Sequence, residues 1–235
     1  MWVTAFYEST ALFSLKPAAA TASGGKTLLV PTPFAIKMGL LDIACRTIGV
    51  NAAEFVWRWL GTARVALQPA QAVVVNNTFT KVLKPRRNPA EPGSQDVGFF
   101  GRTIAYREYV YLEGRFGIAV EVGATGQAEQ VAQWLLHLNY LGKRGSFIQW
   151  VEFGPDALPE DFLVVDGQIT GMAINALLTQ LDDVGDDLTF TRASVYTSDP
   201  IKLGKHRVLH HLALPYRLTA SSRSYSHYVR TEEET

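Results

Sequence analysis

Two stretches decide how this 235-residue chain folds: residues 72–83, AVVVNNTFTKVL, and residues 102–122, RTIAYREYVYLEGRFGIAVEV. Both are dense in β-branched and aromatic side chains. In the second, FGIAVEV alternates so that Phe116, Ile118, Val120 and Val122 share one side. They predict strands that pair antiparallel. Between them, KPRRNPAEPGSQDVGFFG holds three prolines and three glycines, a composition that rules out regular structure and describes a projecting hairpin end.

Outward from this hairpin, Trp2 to Glu8 reads as a first strand, and Ser9 to Pro33, with its AAATASGG run, as a long surface loop. Ile36, Leu40, Ile43 and Thr47 fall on one helical stripe and predict a helix over about 34–48. Asn51 followed by Glu54 resembles a capping box opening a second helix through Leu60. A further helix runs from Thr125 as N-cap, with Val131, Trp134, Leu135, Leu138 and Leu141 on its stripe and Gly142 at its stop, before a strand over Phe147 to Phe153. LTFTRASVY (188–196) reads as another strand. Strand, helix, strand, strand, helix, strand is the split βαβ order of an α+β, ferredoxin-like domain. In that layout the helices cover one sheet face and leave the other available, as in RRM-type RNA binders that stack bases there.

The 47% hydrophobic and 19% charged composition predicts a well-filled core. The single Cys45 excludes a disulfide framework, and no apolar run reaches bilayer length, so a soluble cytoplasmic protein without membrane association is expected. Formal charge is zero, with 22 basic and 22 acidic residues, but the distribution is uneven. Pro200 to Arg230 carries Lys202, Lys205, Arg207, Arg217, Arg223 and Arg230 with no carboxylate, whereas Trp150 to Asp199 holds ten carboxylates against Arg192 alone. Either a phosphate-attracting surface lies beside a repelling one, or the two segments pair across the fold.

His206, His210 and His211 cluster, but beside Lys205 and Arg207 and without a cysteine pair or HExxH pattern they do not specify a metal. No GxSxG elbow occurs, and TASGGKT (21–27) lacks the first glycine of a phosphate loop. No cofactor and no metal are expected. What the residues suit is an RNA backbone. Lys81, Lys84, Arg86, Arg87, Arg102 and Arg107 lie along the hairpin, interleaved with Phe79, Phe99 and Phe100, which either wedge bases, touch a partner or anchor the hairpin to its own domain. Lys143 and Arg144 follow the second helix in LGKRGS. In LPYRLTASSRSYSHY, Arg217, Ser222, Arg223, Tyr225 and His227 offer charged and neutral donors together.

In this order, VPTPFAIKMGLLDIA, the basic hairpin, LNYLGKRGSF and LPYRLTASSRSYSHY resemble the RAMP proteins of CRISPR systems, most closely the Cas-five family that caps the 5′ handle of the guide RNA in type I Cascade complexes. The resemblance implies a ferredoxin-like RAMP domain over 1–155, with a thumb hairpin at about 76–111, and a C-terminal β-rich extension over 156–235 packed on it. It implies a non-catalytic subunit whose thumb cations hold guide-RNA phosphates while LGKRGS and SSRSYSHY cradle the handle. Implied partners are the crRNA, the backbone RAMP subunits and the large subunit, with target DNA engaged indirectly. One branch of the family cleaves precursor crRNA without metal through a tyrosine, lysine and histidine group. Tyr225, with His227 or His210 and Lys205, keeps that alternative open, as does a protein–protein module that never touches RNA.

Overall fold

The computed structural model describes residues 1–18, 25–94, 98–142, 145–167, 176–194 and 197–231. The fold is mixed α/β, with antiparallel sheets and few helices. Among the described residues, the first sheet has five strands: β1 (Trp2–Ser9), β2 (Val65–Gln68), β5 (Arg115–Glu121), β6 (Ile148–Phe153) and β7 (Leu163–Val164), in the order β6-β1-β5-β2-β7. Its register runs from Trp2↔Glu121 to Glu8↔Arg115 and from Val65↔Val120 to Gln68↔Gly117. The helices α1 (Pro33–Ile48), α2 (Val50–Leu60) and α3 (Thr125–His137) pack their apolar stripes into the core. Tyr7 donates from β1 to the carbonyl of Leu135 on α3 at 2.7 Å, and burial raises its hydroxyl pKa well above the ordinary tyrosine value.

The helix starts follow local chemistry. Thr32 caps α1 by accepting from Ala35 N at 3.1 Å, with Pro33 in the first turn where its missing N–H costs nothing. The Asn51–Glu54 box is not used: α2 opens two residues earlier, with Gly49 in the N-cap place at φ +86°. The predicted strand over 188–196 is also replaced. Its described residues form a single helical turn, α4 (Phe190–Ala193), because Thr189 accepts from Arg192 N at 3.3 Å.

The long hairpin does not belong to the first sheet. β3 (Ala72–Ala90) and β4 (Gly98–Glu113) form a second sheet with β10 (Tyr216–Ser221) and β11 (Tyr225–Arg230), in the order β10-β11-β3-β4. The strand that enters the first sheet ahead of β5 is the four-residue β2, too short to register as a periodic pattern. Regular structure also persists through Pro85 and Pro89. Past Asn76 β3 has no neighbour but β4, and on such a free edge a strand tolerates residues that lack an N–H.

The helix-free face of the first sheet is covered. The segment after β6 lays Phe162, 6% exposed, edge-on against Phe6 at 5.9 Å. A Cβ on Gly117 would stand 2.2 Å from the Phe162 ring, so glycine at this position makes room for the plug. Val165 N donates to Val65 O at 2.9 Å, fixing the segment to the sheet edge. The RRM-like expectation of an open face on this sheet is therefore corrected: the chain's own aromatic occupies it.

A two-stranded sheet, β8 (Leu177–Val184) with β9 (Arg207–Leu214), docks on α1 through a buried charge. Lys37 Nζ lies 2.7 Å from Asp183 Oδ1 and donates to Gly61 O at 3.0 Å, with side-chain exposures of 2% and 11% for the two partners. Burial pulls the lysine pKa down while Asp183 opposes the shift. Lys37→Met should cost about 3–5 kcal/mol in urea unfolding, because Asp183 is left buried without its cation, whereas Lys37→Met with Asp183→Leu should recover most of that loss. Equal midpoints for wild type and single variant would contradict the pairing. Gly117→Val should destabilise strongly, and adding Phe162→Ala should relieve the clash; a double variant no more stable than Gly117→Val alone would contradict the plug.

Candidate nucleic-acid interface

The register of β3 with β4 sorts their side chains onto two faces. At the root, Val73↔Leu112 and Val75↔Val110 point into the core, each of the four at most 7% exposed. Followed up the hairpin, this inward face emerges into solvent as Phe79↔Tyr106, Lys81↔Ile104, Leu83↔Arg102 and Pro85↔Phe100. Phe79 and Tyr106 pack edge to face with ring centroids 5.2 Å apart, and Leu83 and Phe100 are exposed.

Above the buried Ala72 at its base, the opposite face looks outward up the ribbon. Across the sheet it begins with Arg217↔Val229↔Ala72↔Glu113, followed by His227↔Val74↔Tyr111 and Tyr225↔Asn76↔Tyr109. It continues up the ribbon as Thr78↔Arg107, Thr80↔Ala105, Val82↔Thr103 and Lys84↔Gly101. Arg86 lies over Gly101, where a Cβ would come within 2.4 Å of the arginine Nε. Phe99 projects on this side near the tip. Aromatic rings on one sheet face, leading to hydroxyls and cations, form a surface able to stack bases and hold phosphates.

The Ser222–Tyr225 turn joins this surface to the hairpin root. Asn77 N donates to Ser224 O at 2.7 Å, Asn77 Nδ2 to Arg223 O at 3.3 Å, and Ser224 N to Ser222 Oγ at 3.1 Å. A depression of about 290 Å³ here is lined by Thr78, Arg107 and Arg223. Arg107 also lines a second depression of about 690 Å³ beside the start of α1, so one residue borders both.

The structure places most of the segments singled out in the sequence on one hairpin and the strand beside it. Lys84, Arg86, Arg107, Arg217, Tyr225 and His227 share the outward face with Phe99, and Ser222 and Arg223 stand at its corner; Lys81, Arg102, Phe79 and Phe100 lie on the reverse. Arg87 follows Pro85, where the ladder register shifts. Lys143 and Arg144 fall outside the described residues. Among those described, Lys81, Lys84, Arg87, Arg107, Arg217 and Arg223 have no carboxylate partner. The C-terminal cations divide differently: Arg207–Asp182 (2.5 Å), Lys205–Asp187 (3.6 Å) and Arg230–Asp161 (3.6 Å) realise the pairing alternative. Tyr111 and Asn76 were not singled out. The alternation of Tyr109, Tyr111 and Glu113 was the available signal, but it names a face only once the register is known.

No protein-family model matches the chain. It is 25% identical over 148 residues, 63% of its own length, to the CRISPR-associated protein Cas5 of Archaeoglobus fulgidus. In sequence the chain is similar to Cas5. It spans 61% of the length of that protein. Among solved structures, it superposes on a CRISPR protein from Archaeoglobus fulgidus with a TM-score of 0.40 at 11% identity, covering 99% of this chain and 92% of that one. It also superposes on a chain of a CRISPR RNA-guided surveillance complex with a TM-score of 0.39 at 16% identity, covering 91% and 90%. Both structural likenesses are loose. No described helix is long and apolar enough to cross a membrane, and no described cluster of His, Cys, Asp and Glu could hold a metal ion.

Proposed function

We propose that this chain is a non-catalytic subunit of a type I CRISPR effector complex that binds and caps the 5′ handle of the crRNA. The observation that carries the reading is the outward face of β3, β4 and β11, where Tyr109, Tyr111, Tyr225 and His227 lead without a break to Arg107, Lys84 and Arg86. The likeness to Cas5 supports the same assignment. On this reading the β6-β1-β5-β2 order, antiparallel throughout, is a ferredoxin-like RAMP frame over 1–155, with β3 and β4 as its thumb at about 76–111. Residues 156–235 form the extension, which supplies the plug, the β8–β9 clamp and the turn at the thumb root.

The crRNA handle then runs along the outward face, with phosphates at Lys84, Arg86 and Arg107, Arg87 near the tip and Ser222 and Arg223 at the corner, while Lys81 and Arg102 reach phosphates from the reverse edge of the ribbon. Lys143 and Arg144 are proposed to hold the strand further on, and Phe79, Phe99 and Phe100 to wedge a base or touch the neighbouring subunit. Backbone RAMP subunits and the large subunit complete a cytoplasmic complex that meets target DNA through the guide. Two candidates for cleavage chemistry are engaged elsewhere: Lys205 pairs with Asp187, and His210 Nε2 lies 4.0 Å from Asp183. This favours a binding subunit over a metal-independent ribonuclease.

Lys84→Glu with Arg87→Glu should weaken binding of handle-bearing RNA to a similar degree whatever the spacer sequence, and should flatten the slope of log K against log salt by roughly 1.4. Tyr111→Ala should cost about 1–3 kcal/mol of RNA binding with unfolding unchanged. Wild-type affinity and salt slope in the double charge variant would overturn the thumb assignment.

A further inference from the structure

The depression beside the start of α1 has no assigned occupant. We infer that it receives one unpaired nucleotide of the bound strand, base inside and phosphate toward Arg107, which rests on the RNA-binding reading above. Its volume of about 690 Å³ falls within the range of small-ligand sites. Phe34 and Met38 on α1 and Tyr140 after α3 give it apolar and aromatic walls.

Arg207 supplies a fixed polar wall. Its guanidinium carbon sits 4.2 Å from the Phe34 ring centroid, and its Nε donates to Asp182 at 2.9 Å, with the Asp182 side chain 2% exposed. Held between a ring and a buried carboxylate, this guanidinium is pre-ordered before any ligand arrives, so binding does not pay to immobilise it. Asp42 adds an acceptor. Arg46 takes its Oδ2 at 3.0 Å, which leaves Oδ1 open among the described residues. A carboxylate accepts and cannot donate, so it favours a base that presents an exocyclic amino group over the analogue lacking that group.

Arg107 identifies the occupant as part of a strand. It lines this depression and the one at the hairpin root, so a phosphate there joins a base in the larger depression to nucleotides on the outward face. A base lodged here has left the stack of its neighbours, the splayed-out arrangement in which single-stranded RNA bases are commonly read.

The test uses the full chain carrying a benzophenone amino acid at Met38 or, in a second preparation, at Lys84, irradiated with handle-bearing RNA. Both positions are expected to cross-link, position 38 to one nucleotide only. Cross-linking at 84 but not at 38, with RNA saturating, would overturn the pocket and leave the RNA reading standing; failure of the folded chain to bind RNA would overturn both. As a second measurement, each handle nucleotide that carries an exocyclic amino group is replaced in turn by its analogue lacking that group. One position is expected to lose roughly 5-fold in affinity, and Asp42→Ala to abolish that preference. Discrimination unchanged in Asp42→Ala, or absent at every position of the wild type, contradicts the inference.

Discussion

Four side chains at the hairpin root, Val73, Val75, Val110 and Leu112, hold the second sheet to the body and set everything above them. A bare two-stranded ribbon is marginal in water, so the part of the hairpin beyond Asn76 depends on this anchor. Burying each aliphatic group is worth about 1.5–3 kcal/mol. Because side chains alternate along a strand, fixing these four inward also fixes Tyr109, Tyr111, Arg107 and Lys84 outward. A slip of one residue would exchange them for Val110, Leu112, Tyr106 and Leu83, burying the polar face and exposing the core.

The same constraint explains why the chain has two sheets with different tasks. In the first sheet, helices take one face and Phe162 the other, so it is a buried frame. The second sheet is buried on one face only. The charges follow this division: three of the six cations of the C-terminal segment pair with the carboxylates of residues 150–199, whereas Lys81, Lys84, Arg87 and Arg107 of the thumb have no carboxylate partner among the described residues. Overall neutrality therefore hides a projection on which several cations have no carboxylate partner among the described residues, which is the distribution expected when the projection meets phosphate.

Much of this was legible in the sequence where a single local rule dominates. Thr32 and Pro33 mark the start of α1, the Ile36–Leu40–Ile43 stripe marks its buried face, and the β-branched runs at 72–83 and 102–113 mark the hairpin. Tertiary context hid the rest. Four residues of β2 carry too little periodicity to be seen, Pro85 and Pro89 sit in a strand because the edge is free, and the run at 188–196 turns helical once Thr189 caps it. Nothing local in Phe162 announces that it fills the space above Gly117. The cationic and aromatic residues of the site were visible by type, but their division between two faces needed the ladder register.

One strand carries its own control for the central claim. Tyr106 lies on the reverse of the ribbon, 66% exposed, while Tyr111 and Tyr225 lie on the outward face at 48% and 37%. Tyrosine nitration, mapped by mass spectrometry on the folded chain with and without handle-bearing RNA, compares them directly. RNA should shield Tyr111 and Tyr225 and leave Tyr106 reactive. Shielding of Tyr106 with Tyr111 and Tyr225 still modified would mean that the strand lies on the other face, and the account would be wrong.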